Sequence, residues 1–126
     1  MRLLTALLLA TFVLAAGCGG SGSHLATEAG TRACLVKNGV RVGGQLDFVA
    51  TTSTGGALRA HLSDNDVTVV FGETVADADK INDAYHRFHA QNIGIDDVLR
   101  QVSNAVMLWN SHPSDADVAQ ITACLK

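Results

Sequence analysis

Ala57-Leu58-Arg59-Ala60-His61-Leu62 leads through Ser63-Asp64-Asn65-Asp66 into Val67-Thr68-Val69-Val70-Phe71. In the first segment Leu58 and Ala60 alternate with Arg59 and His61, the period of a half-buried strand. Four small polar residues then mark a turn. The second segment is β-branched and aromatic, the composition of a strand. The stretch therefore predicts a β-hairpin, and the rest of the chain has to supply what covers it.

Working toward the C-terminus, Thr74 to Ala90 predicts a helix. Val75, Ala78, Ile81, Ala84, Tyr85 and Phe88 fall at helical spacing. Thr74 with Asp77 resembles an acidic capping box. Gly94 breaks the pattern, and Asp96 or Asp97 starts a short helix through Val102. Asn104 to Trp109 is apolar and of strand length, as in a central strand. After the turn at Asn110-Ser111-His112-Pro113, Ser114 caps a last helix, Asp115 to Leu125. Toward the N-terminus, Leu25 to Lys37 reads as a helix capped by Thr27 and stopped at Asn38-Gly39. Val40 to Val42 is a short strand. Gly43 to Gly56 is a loop or an irregular strand.

The expected fold class is α+β: one small sheet of three to five strands, with helices packed on one face. Ferredoxin-like packing is the alternative topology. The expected core is Val67, Val69, Phe71, Ile81, Tyr85, Phe88, Val106, Leu108 and Ile121.

Before this body lies a different kind of sequence. Arg2 precedes an apolar run from Leu3 to Ala16, which ends at Leu14-Ala15-Ala16-Gly17-Cys18. A charged start, a short apolar core and a small-residue exit describe a secretory signal peptide. The run has fourteen residues, whereas a spanning helix needs about 20. Residues 14–18 resemble the lipobox of bacterial lipoproteins, in which the Cys is lipidated and becomes the new N-terminus. Ala15 stands where that family most often has Leu. Ala15-Ala16-Gly17 also fits ordinary signal peptidase, which would release a soluble secreted protein. The resemblance implies a lipid anchor on Cys18, placing the chain on the outer face of the cell membrane. The expected organisation is a signal peptide at 1–17, the lipidated Cys with a Gly/Ser tether at 18–26, and one domain at 27–126.

The whole chain carries a net charge of −3. Loss of Arg2 leaves eight Lys and Arg against twelve Asp and Glu, a net of −4. Such an acidic domain is ill suited to nucleic acid, whose phosphates need a basic surface. With Cys18 assigned to lipid, Cys34 and Cys124 remain as a pair in an oxidising compartment, where disulfides persist. The expected bond ties the first helix to the last.

The candidate chemistry is sparse. His86 and His89 lie three apart on one helix and share a face. They are metal-ligand candidates for Zn or Cu, although a structural site usually takes four ligands. The bland alternative is a half-exposed surface pair flanking the Tyr85 and Phe88 stripe, and the expectation is that no metal binds. Asp64, Asp66, Asp77, Asp79 and Asp83 read as solvated surface, because no calcium-loop spacing follows them. No Gly-x-Ser-x-Gly elbow marks a catalytic serine. Gly43-Gly44 and Gly55-Gly56 do not make a phosphate loop. Trp109 either lines a ligand groove or covers the edge of the core.

Ala33-Cys34-Leu35, Val70-Phe71-Gly72, Tyr85-His86-Arg87-Phe88, Val106-Met107-Leu108-Trp109 and Ala123-Cys124-Leu125 together resemble small uncharacterised lipoproteins of high-GC Gram-positive bacteria. That resemblance implies no activity, cofactor or catalytic residue. The functional expectation is a non-enzymatic, lipid-anchored binding or interaction module exposed to the envelope. Its partners are the membrane, through Cys18, and an envelope protein or small molecule; no cofactor is expected. The alternatives are a metal-binding lipoprotein using His86 and His89, and an envelope hydrolase with an unrecognised site.

Overall fold

The computed structural model describes residues 24–88 and 94–126. The expected signal peptide, Cys18 and His89 lie outside the described residues. The elements run α1 (Glu28–Lys37), β1 (Arg41–Val42), α2 (Phe48–Thr52), β2 (Ala57–His61), β3 (Asp66–Phe71), α3 (Val75–Phe88), α4 (Ile95–Val98), β4 (Leu99–Val102), β5 (Ala105–Trp109) and α5 (Asp115–Thr122). The hairpin pairs as its alternation demands: Leu58 faces Val69 and Ala60 faces Val67. β5 lies along the other side of β3, with Met107 opposite Val69.

The five strands form one sheet in the order β1-β2-β3-β5-β4. Every neighbouring pair is antiparallel. The fold is α+β. β3, α3 and β4 form one split βαβ unit with β5 between its strands, whereas a ferredoxin-like sheet interlocks two.

Helices cover both faces of the sheet, not one. Val67, Val69, Phe71, Leu58, Met107 and Trp109 pack with Leu35 of α1 and Ile121 of α5. Val70 and Val106 point the other way, onto Ala50 of α2 and Ala78 and Tyr85 of α3. Successive strand residues alternate faces, so the unbroken apolar runs of β3 and β5 are what a sheet buried on both sides requires.

Two elements and part of the core differ from expectation. Residues 43–56 hold a helical turn, α2, despite β-branched Val49, Thr51 and Thr52. Asp47 makes it possible: its Oδ1 accepts the Ala50 N–H at 2.9 Å, a side-chain N-cap. Leu99 to Val102 is a strand rather than the end of a helix. Leu, Arg and Gln favour helix intrinsically, but pairing along β5 overrides that preference. A two-residue turn at Ser103-Asn104 makes the hairpin, with Ser103 at φ 53°. In the expected core, Phe88 is 71 % exposed, and Ile81 and Leu108 are only half-buried. The α3 stripe continues at Phe88, but there it borders a groove rather than packed sheet.

Cys34 and Cys124 form a disulfide across 90 residues of chain, with Cα atoms 5.4 Å apart. Cys124 lies two residues past Thr122, so the bond joins α1 to the segment after α5, not helix to helix. Two further ties fix the chain ends. The Thr27 N–H donates to the Lys126 carbonyl at 2.7 Å. Asn104 accepts the Ala26 N–H at 2.8 Å and donates to the carbonyls of Ala26 and Gly72. Ala26, expected in the tether, is thus already part of the fold.

Candidate binding groove

The α2/α3 face is incompletely covered at one end. There, β2, β3 and β5 present Arg59, Thr68 and Leu108 side by side, because Arg59 faces Thr68 and Thr68 faces Leu108 across the sheet. The loop before α2 forms one wall with Gln45, Leu46 and Asp47. Together these residues, with Trp109 and Asn110, enclose a polar lobe of about 550 Å³. A second lobe of about 380 Å³ adjoins it at Asp47 and Leu108, and is completed by Phe48, Val49, Tyr85 and Phe88. Phe48 and Phe88, which both line it, are 74 % and 71 % exposed.

Asp47 joins the two lobes. Besides capping α2, its carboxylate accepts from the Tyr85 hydroxyl at 2.9 and 3.1 Å. Burial, followed by the neighbouring Asp47 charge, pushes the Tyr85 hydroxyl well above its ordinary value, so it remains a protonated donor. Among the described residues Asp47 has no cationic partner. Arg59 is already engaged: its guanidinium lies 3.2 Å from Asp66. His61 Nδ1 meets the same carboxylate at 2.9 Å, and its Nε2 lies 2.7 Å from the Gly43 carbonyl. The hydrogen bond from His61, reinforced by Arg59 against the effect of burial, holds the Asp66 carboxyl below the usual carboxylate range.

The groove does not gather the histidines singled out in the sequence. His86 is on the outer side of α3, with Nδ1 on the Asn82 carbonyl at 2.9 Å and Nε2 on Asp96 at 3.0 Å. These contacts, Asp96 first, raise its affinity for a proton. His112 meets Asp97 at 2.6 Å. Among the described residues no group of three His, Cys, Asp or Glu could share a metal ion. Nor does any described histidine contact a serine or threonine hydroxyl, and both ring nitrogens of His61 and His86 are occupied. Trp109 borders the polar lobe, but its side chain is buried on the opposite face with Val67 and Met107. Its indole N–H has no partner among the described residues.

Sequence reasoning did not place the groove, because its walls come from an unexpected helical turn and the end of α3. Asp47 as a cap and the surplus Phe88 on the α3 stripe were the available signals. Comparison with known protein families, curated proteins and solved structures finds no match for this chain. No helix of the described residues is long and apolar enough to cross a membrane.

Proposed function

We propose that this chain is a lipid-anchored, envelope-exposed, non-enzymatic binding module whose ligand occupies the groove between α2, α3 and the sheet. One observation carries the reading: the groove and the chain's entry into the fold lie at opposite ends of the same strands. Ala26 is bonded to Asn104, at the end of the sheet where Phe71 meets Ala105. The groove opens at the other end, beside Leu108 and Asn110. The five residues of β5 separate the two ends by roughly 17 Å at about 3.4 Å per residue. An anchor at Cys18 would hold one end of the sheet near the bilayer and turn the groove outward.

Mixed lining supports small-molecule or short-peptide recognition: apolar surface supplies affinity, and a few polar groups fix orientation. Two exposed phenylalanines lining one lobe are poor surface residues unless something covers them. The test is amide chemical-shift mapping with a set of small amines, carboxylic acids, sugars and short peptides. One chemical class is expected to shift residues 45–49, 85–88 and 108 while sparing α1 and α5. Shifts confined to the α1/α5 face, or none with any class, would refute the reading.

A further inference from the structure

We infer that the smaller lobe of the groove binds an alkylated ammonium group, carried on a soluble small molecule. The inference rests on the groove being the binding site, and names the chemistry of its ligand. Three aromatic side chains, Phe48, Tyr85 and Phe88, line this lobe, and among the described residues that line it Asp47 is the sole charged one. Aromatic faces attract cations through their quadrupole, and the attraction strengthens when the cation gives up little hydration. A carboxylate beside such rings adds a second attraction of the same sign.

The hydrogen bonding of Asp47 selects among cations. Its oxygens already accept from the Ala50 N–H and the Tyr85 hydroxyl. Both donors are neutral, so the charge persists while lone pairs are taken up. A primary ammonium brings three donors that need acceptors, and this lobe offers few. A trialkylated ammonium needs none; it needs field, rings and apolar contact, which Val49 and Leu108 supply. Divalent metal ions want several oxygens, and one carboxylate is too few. The direction of opening, away from the chain's entry into the fold, favours a soluble carrier over the headgroups of the anchoring membrane.

Calorimetry on the full-length chain in a sugar-based detergent tests this with choline, tetramethylammonium and 3,3-dimethylbutan-1-ol, the neutral isostere of choline. Choline and tetramethylammonium are expected to bind with Kd below about 1 mM, and the neutral isostere at least about tenfold more weakly. Asp47→Asn retains a capping oxygen and should lose about tenfold in choline affinity with little change in melting temperature. Phe88→Leu keeps apolar volume and should also weaken choline, through loss of the ring face. Equal binding of choline and the isostere would overturn the ammonium inference while leaving the groove as an apolar binding site. Failure of both ammonium probes would overturn it too, with the groove then judged by the shift mapping alone. Capture by phosphatidylcholine vesicles, but not phosphatidylglycerol vesicles, without binding of free choline would overturn the soluble carrier.

Discussion

At the scale of single residues, two polar side chains do more than their exposure or position in the sequence suggests. Asn104 is 1 % exposed and serves three backbone groups from two distant segments. Asn104→Ala would strand those groups in the interior, where each unsatisfied group costs about 1–3 kcal/mol. Urea unfolding should register a loss of about 2–4 kcal/mol; a change below 1 kcal/mol, on the order of surface substitutions, would mean that water replaces the side chain. His86 is the second case. Its proton is held by Asp96 and the Asn82 carbonyl, which raise it above the usual histidine value of 6.5. A raised value in the fold means that the protonated form is the one stabilised. The α3–α4 contact is therefore at full strength below that ordinary value and fades as pH rises through the raised one. NMR titration of the imidazole should show the raised midpoint, and Asp96→Asn should lower it. An unchanged midpoint in that variant would assign the shift to Asn82 alone. The side chains are exposed, so the effect on global stability should be small.

Elements were legible where their signal is local, and obscure where it depends on neighbours. β2 and β3 announce themselves by alternation and β-branching, and α3 by its stripe and Thr74. Thr27 and Ser114 cap α1 and α5 through side-chain oxygens, as read from the sequence. β4 was hidden because Leu99, Arg100 and Gln101 prefer helix until β5 pairs with them. α2 was hidden because its residues prefer strand until Asp47 caps it. Burial of both sheet faces could have been inferred from Val69-Val70-Phe71, where three consecutive apolar residues leave no polar side. The candidate site was least legible, since no local pattern marks where a sheet is left uncovered. Phe71 and Phe88 separate these cases experimentally. Phe71 is 1 % exposed, and Phe71→Ala should cost about 3–5 kcal/mol in urea unfolding. Phe88 occupies the same apolar phase of its helix but stands in the open. Phe88→Ala should change stability by less than about 0.5 kcal/mol, and any large loss would place that ring in the core after all.

At the scale of the whole molecule, the chain is closed on itself and polarised. The Cys34–Cys124 bond spans 90 residues, and the Thr27–Lys126 hydrogen bond joins the two ends of the described fold. Replacing both cysteines by Ala should destabilise the domain by about 2–5 kcal/mol, read as a lowered urea midpoint; an unchanged midpoint would make the staple dispensable. Polarity is what links structure to the proposed role: entry at the Asn104 end, groove at the Asn110 end. Intact mass of the mature protein should reveal acyl chains on Cys18, whereas a chain starting there without them would favour secretion in soluble form. The most direct measurement reads anchoring and orientation together. The acylated protein is reconstituted on vesicles carrying a paramagnetic headgroup, with a spectroscopic label placed at Ser103→Cys in one sample and Asn110→Cys in another. Both positions are exposed turn residues at opposite ends of β5. A module anchored at one end and binding at the other should show strong relaxation at position 103 and weak relaxation at 110. Equal effects at both positions would leave the domain without a preferred orientation, and a stronger one at 110 would put the groove end against the bilayer; either result would contradict the account.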